Sequence, residues 1–253
     1  MQNPKTKTIS NLTKFSPNFK RKRIPHSQFK FPSDVLPTCE PGEQVVGIFT
    51  GFSVEVSHPE HIRKLYDAGC FGKGSKSRSC PEFIKQKILP DDALSENLIL
   101  DLEESFFLAH YLKVLEIKDI HGVPCSSKEI FEKFLKVKSN FAESFVAYIY
   151  LRAKNWIVRS GTKFGANFLI YKKGLRFFHA SFIVFVDYKR EPHESKDIKG
   201  IQRIAETSDK DVLFLEVIRP KEVDADIFEN LDKFTVSENI IKRFNYSAFV
   251  QSK

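Results

Sequence analysis

Five consecutive apolar residues, Phe182-Ile183-Val184-Phe185-Val186, constrain the fold more than any other stretch of this chain. A strand with one wet face alternates apolar and polar residues, so a β-branched and aromatic run without alternation needs cover on both faces. Such a strand belongs inside a sheet flanked by helices. The neighbouring pattern supplies both. Strands are expected at Trp156–Arg159, Asn167–Lys172 and Phe177–Tyr188, with turns at Gly161, Gly165 and Gly174. One helix places Phe145, Tyr148, Ile149 and Arg152 on a single face, and a second turns Ile198, Ile201, Ile204 and Ala205 inward. A buried strand, Val212–Ile218, stops at Pro220, and a last strand is expected around Asn239–Phe244. The class is α/β with a mixed central sheet flanked by helices.

Upstream, Val45–Val56 is broken by Gly47 and Gly51 and reads as one or two strands. Pro59 suits the first turn of a helix that runs to Asp67 and stops at Gly69. The segment Phe71-Gly72-Lys73-Gly74-Ser75-Lys76-Ser77-Arg78-Ser79 lacks the Gly-x-x-x-x-Gly-Lys-Ser/Thr pattern of a P-loop and reads as an exposed basic loop. Glu103–Lys113 carries Phe106, Phe107, His110 and Tyr111 at helical spacing. Ser126-x-x-Glu129 is a capping box for a helix through Leu135, and Asn140 can cap the helix after it. Residues 1–40, punctuated by Pro4, Pro17, Pro25, Pro32 and Pro37, read as a flexible basic arm that includes Lys20-Arg21-Lys22-Arg23. A small α/β N-terminal domain over 41–138 and a C-terminal domain over 139–253 follow.

A formal charge of +8 favours an anionic partner, and RNA, DNA and acidic membranes all meet that description. No apolar stretch approaches the roughly 20 residues needed to cross a bilayer, and the N-terminus has no apolar signal core, so an intracellular, soluble protein without membrane insertion is expected. Cys39, Cys70, Cys80 and Cys125 form no Cys-x-x-Cys pair, so reduced thiols are expected rather than a zinc site. No convergent Asp/Glu/His cluster suggests another metal or cofactor.

The stretch from Tyr150 to Ile218 carries the functional signal. Within it, Trp156-Ile157-Val158-Arg159-Ser160-Gly161-Thr162-Lys163-Phe164-Gly165-Ala166-Asn167-Phe168-Leu169-Ile170-Tyr171 resembles the signature of tRNA-splicing endonucleases. The resemblance continues through Phe178-His179-Ala180-Ser181-Phe182 and Ser208-Asp209-Lys210-Asp211-Val212-Leu213. It implies an active site of Tyr171, His179 and Lys210, on a catalytic domain of that family's fold. Phe71-Gly72-Lys73-Gly74 and Ser77-Arg78-Ser79 also resemble the N-terminal domain of the eukaryotic catalytic subunit that cuts the 5′ splice site, and His179-Ala180-Ser181 fits the same subunit.

These three residue types suit RNA cleavage by the RNA's own 2′-hydroxyl, which needs a base, an acid for the departing 5′-oxygen and a cation beside the crowded phosphate. An imidazole such as that of His179, with an ordinary pKa of about 6.5, can be the acid, and Lys210 can be the cation. Tyr171 is the awkward base, because only about one phenol in a thousand is ionised at neutral pH, a cost of roughly 4 kcal/mol. A neighbouring ammonium such as Lys210 would lower that cost.

The family resemblance further implies pre-tRNA as substrate, metal-independent cleavage without a cofactor, and 2′,3′-cyclic phosphate and 5′-hydroxyl ends. It implies a heterotetramer containing a second catalytic subunit and two structural ones, resident in the nucleus or on the mitochondrial surface. In that assembly an Arg before the catalytic Lys and a C-terminal Arg or Trp sandwich a bulged base of the RNA. Arg203 matches the first position, and Arg243-Phe244 stands where related subunits have Arg-Trp. The alternative is a catalytically silent, RNA-binding structural subunit of the same complex.

Overall fold

The computed structural model describes residues 36–40, 42–86, 96–175, 178–188, 195–208, 210–223 and 226–241. The Lys20–Arg23 run, the start of the connection after Lys189, and Arg243 and Phe244 lie outside the described residues.

Two mixed five-stranded sheets, each flanked by helices, make up the architecture. The first is built from β1 (Val45–Phe49), β2 (Val54–Val56), β3 (Lys73–Gly74), β4 (Leu98–Leu100) and β5 (Leu115–Lys118), in the order β3-β4-β2-β1-β5. Only β1 and β5 pair in parallel. Its helices are α1 (Pro59–Asp67), α2 (Glu82–Gln86), α3 (Leu102–Phe106) and α4 (Ser127–Val137). Pro59 opens α1, as its fixed φ predicts. The capping box holds at α4: Ser126 Oγ accepts from the Glu129 N–H at 3.3 Å while the Glu129 carboxylate accepts from the Ser126 N–H at 2.7 Å. The single helix expected over Glu103–Lys113 is instead α3 followed by a π-helical turn, Phe107–Tyr111.

The second sheet comprises β6 (Ile157–Ser160), β7 (Phe168–Tyr171), β8 (Phe182–Asp187), β9 (Asp211–Ile218) and β10 (Thr235–Ile241), in the order β10-β9-β8-β7-β6. β8 and β9 run parallel and are joined through α6 (Ser195–Ser208), whereas the other pairs are antiparallel. The apolar run Phe182–Val186 is the central strand, and Ile183 and Val184 are both fully buried. The strand begins at Phe182, because His179 to Ser181 lie outside the ladder and Phe178 makes only a bridge; Phe177, where the sequence pattern starts, lies outside the described residues. β10, by contrast, starts earlier than the sequence suggests. It pairs with β9 along its whole length, and Tyr150 Oη and Lys154 Nζ both donate to the Glu238 carboxylate on it.

One continuous apolar core joins the two sheets through α5 (Phe141–Ala153). Val158, Phe168, Ile170, Phe182, Val184, Leu213 and Leu215 face this core, and the alternate Ile157, Ile183 and Val212 are buried outside it. The rings of Phe131, Phe141 and Phe145 surround Phe106, the last within 4.7 Å between centroids. α5 is consequently buried nearly all round, including Glu143 and Ser144. Among the described residues no helix is long and apolar enough to cross a membrane.

The glycine-rich segment after α1 exposes Ser75, Lys76, Arg78 and Ser79, as expected of a basic loop, but Phe71, Gly72 and Gly74 are buried and its backbone is tied down from within. The N–H groups of Lys76 and Ser77 donate to Glu96 Oε1 at 3.0 and 2.6 Å, and the Glu82 N–H donates to Oε2 at 2.9 Å. Glu96 is buried in this cradle, and a Cβ at position 74 would collide with its carboxylate. Burial raises the Glu96 pKa, but the N–H donors of Ser77, Glu82 and Lys76 outweigh it and hold the carboxyl below its ordinary value.

Candidate active site

The register of the second sheet brings the sequence-identified residues to one end. Ile170 of β7 pairs with Phe182 of β8, and Phe182 pairs with Asp211 of β9. Tyr171 is one residue past Ile170 and Lys210 one before Asp211, so they flank the same row of the sheet with β8 between them. Neighbouring strands lie about 4.8 Å apart, which puts the two backbones roughly 10 Å from each other. His179 sits three residues before Phe182, on the segment that leads into β8, and its side chain is exposed. The Ser181 N–H, which donates to Ile170 O at 2.8 Å, closes that segment against the end of β7.

The two half-buried members are held from different sides. Tyr171 is half-buried, and burial raises its phenol above the ordinary pKa while the Arg159 guanidinium acts in the opposite direction. Arg159 is thus a cation that acts on the phenol from the neighbouring strand. Arg159 pairs with Leu169 across β6 and β7, so Tyr171 is its diagonal neighbour. The same guanidinium donates to Cys70 O at 2.8 Å and to Glu104 Oε1 at 3.2 Å, tying β6 to the first sheet's half of the molecule. Burial pushes the Glu104 carboxyl up to about 7 against the pull of Arg159.

Lys210 is anchored at the junction of α6 and β9. Its N–H donates to Ala205 O at 3.1 Å, ending the helix, and its Nζ donates to Ser208 O at 2.8 Å. The ammonium also lies 5.5 Å from the centroid of the Phe164 ring. Phe164 comes from the short 3-10 turn Thr162–Phe164 between β6 and β7. Gly161 is required at the start of that turn, because a Cβ there would lie 2.9 Å from Ala166 O and from the Phe168 backbone.

Arg203 is exposed on α6, about two helical turns before Lys210, and its carbonyl accepts from Thr207 Oγ1 at 2.9 Å. Among the described residues no three His, Cys, Asp or Glu side chains come together as a metal-ion site. Arg159 and Phe164 were the members that sequence reasoning passed over. Both lie inside the Trp156–Tyr171 motif, but their contacts depend on strand pairing and on a loop that folds toward Lys210.

Comparison with known families finds a match in each half of the molecule. The catalytic C-terminal domain of tRNA intron endonucleases matches residues 141–225, and the N-terminal domain of the same enzymes matches residues 45–131. The tRNA-splicing endonuclease subunit Sen2 of Mus musculus is 31% identical over 160 residues, covering 59% of this chain and 35% of the mouse protein. Subunit Sen2-1 of Arabidopsis thaliana is 27% identical over 207 residues, covering 80% of this chain and 81% of the plant protein. The tRNA-splicing endonuclease of Pyrobaculum islandicum is 31% identical over 138 residues, 54% of this chain and 72% of the archaeal one. The chain thus spans about a third of the length of its rodent relatives but most of the Arabidopsis and archaeal ones. With both halves matched in the order in which the two sheets occur, this chain belongs to the tRNA intron endonuclease family.

Proposed function

We propose that this chain is a catalytic subunit of a tRNA-splicing endonuclease that cleaves pre-tRNA at the 5′ splice site. The observation that carries this reading is the arrival of Tyr171, His179 and Lys210 at one end of the second sheet, from three separate strand ends. In this reading the phenolate of Tyr171 takes the proton of the 2′-hydroxyl. The freed oxygen attacks the adjacent phosphorus, and protonated His179 gives its proton to the departing 5′-oxygen. Lys210 faces the charge that builds on the non-bridging oxygens. The bond formed closes a 2′,3′-cyclic phosphate, the bond broken leaves a 5′-hydroxyl, and the step needs no metal ion. Because burial holds the Tyr171 phenol above its ordinary pKa, the fraction of competent base rises with pH through the neutral range.

Partners and location follow the family. The chain works in a heterotetramer with a structural partner, a second catalytic subunit and a further structural subunit. It resides in the nucleus, where Lys20-Arg21-Lys22-Arg23 serves import. Arg203, with Arg243 and Phe244, grips a bulged base in the partner's site. The N-terminal Phe71-Gly72-Lys73-Gly74 and Ser77-Arg78-Ser79 support the 5′ assignment.

The test is cleavage of an intron-containing pre-tRNA by the reconstituted complex in EDTA, comparing wild type with His179→Ala and mapping the ends. Loss of the 5′ cut alone, with cyclic-phosphate ends in the wild type, is expected. Unchanged cutting at both sites would leave the chain a structural, RNA-binding role.

A further inference from the structure

Phe164 is set against Lys210 by a loop whose every turn is tied down. The Phe164 N–H donates to Gly161 O at 2.8 Å, the Gly165 N–H to Thr162 O at 3.0 Å, and the Ala166 N–H to Gly161 O at 3.2 Å. Ser160 Oγ and Thr162 Oγ1 share a hydrogen bond of 2.8 Å. Asn167 then locks the loop to the central strand. Its N–H donates to Val184 O at 3.0 Å, and its Oδ1 accepts from the Val186 N–H at 2.9 Å. The ring therefore sits on a fixed shelf, and its centroid lies within the distance at which an ammonium is attracted by the negative face of an aromatic ring.

We propose that Phe164 is a positioning residue for Lys210, its ring and the Ser208 carbonyl together holding the ammonium at the end of the sheet. A lysine head on a flexible four-carbon stem otherwise samples many positions, and charge stabilisation in a transition state requires a group already in place. Ser208 O fixes the ammonium by a directional bond, and the ring limits the side from which it can swing away. The glycines of the Gly161–Gly165 motif then have a specific purpose: they shape the shelf that presents the ring. Phe164 is only half-buried, so its replacement does not open the main core.

The inference rests on the reading of Lys210 as the cation that faces the phosphate, and the test separates the two. In the reconstituted complex, single-turnover cleavage of pre-tRNA is measured for Phe164→Leu, Phe164→Tyr, Lys210→Ala and the double variant Phe164→Leu/Lys210→Ala. Phe164→Leu is expected to lower kcat by about tenfold or more with KM little changed, and Phe164→Tyr, which keeps the aromatic face, to stay within about threefold of wild type. In the Lys210→Ala background, Phe164→Leu should cost nothing further, since the ring acts through the lysine. A full loss in Lys210→Ala with wild-type rates in Phe164→Leu overturns the inference and leaves the catalytic reading standing. Equal losses from Phe164→Leu in both backgrounds, or a change confined to KM, also overturn it, because the ring would then serve the fold or the RNA. Unchanged cleavage in Lys210→Ala removes the catalytic reading and the inference with it.

Discussion

Phe71–Cys80 in the first half of the molecule and Gly161–Asn167 in the second are both glycine-bearing, basic loops that set a phenylalanine ring against a cation. In the first, the Arg152 guanidinium lies 4.5 Å from the Phe71 centroid, and Nη1 also donates to Gly69 O and Trp156 O, both at 3.4 Å. Phe71 is buried, and Arg152 comes from α5, the helix that joins the two sheets. In the second, the ring is half-buried and its cation stands at the end of the sheet where Tyr171 and His179 also arrive. One contact type thus has two uses. Enclosed between the halves, a ring and a cation contribute to stability. At the end of a sheet, in the role proposed above for Phe164, they hold a charge at the candidate site.

The sharpest way to break this comparison is to remove each cation in turn. Lys210→Ala should lower single-turnover cleavage by about a hundredfold or more, in the range of other electrostatic stabilisers, while leaving the thermal midpoint within a degree or two. Arg152→Met should do the reverse. It keeps the volume but removes two hydrogen bonds and the ring's cation, so unfolding in urea should show a drop in stability of about 2 kcal/mol, with the cleavage rate per folded molecule unchanged. If Arg152→Met slowed cleavage in a fully folded protein, the two rings would not divide the work as argued.

The anion side of the first loop gives a prediction of similar size with a pH signature. Glu96→Gln keeps the shape but removes the charge that three backbone N–H groups point toward, and should cost about 2 kcal/mol near neutral pH. The folded-state pKa of Glu96 is depressed. Its contribution is therefore fully present above the unfolded-state value, about 4.5, and is lost as pH falls through the lower folded value. Urea midpoints of wild type and variant should begin to converge as pH falls below about 4.5 and meet once it has passed the depressed folded value. A gap that persists at low pH would assign the cost to poorer packing instead.

What could be read without the structure follows the range of each interaction. Pro59, Ser126 with Glu129, and Phe182–Val186 act through neighbours in sequence or through their own pattern, and each element formed as its residues predict. The exposed basic tip of the Phe71–Ser79 loop is legible, but its internal anchor is not, because the carboxylate that ties it down, Glu96, lies some twenty positions away in a stretch with no pattern of its own. α5 looked one-sided because periodicity cannot show that a second sheet covers the other face. The π turn after Phe106 shares its apolar spacing with an ordinary helix. At the candidate site, Tyr171, His179 and Lys210 stand out by residue type within a motif. Arg159 and Phe164 were not, since a cross-strand diagonal and a folded-back loop exist only once the strands pair.

The smallest expected effect concerns the side chains of the first loop. Lys76 and Arg78 are exposed, and their backbone, not their charge, does the cradling of Glu96. Lys76→Ala and Arg78→Ala should each change stability by less than about 0.5 kcal/mol. If the loop plays no part in RNA binding, pre-tRNA affinity and its salt dependence should also stay as they are. Every phosphate that a variant no longer neutralises would lower the slope of log affinity against log salt by about 0.7 to 0.9. Filter binding of pre-tRNA over a salt series resolves that difference. An unchanged slope would keep the first loop as an internal cradle with incidental surface charge. A reduced slope with unaltered stability would show that its backbone and its side chains serve different partners, Glu96 within and RNA without.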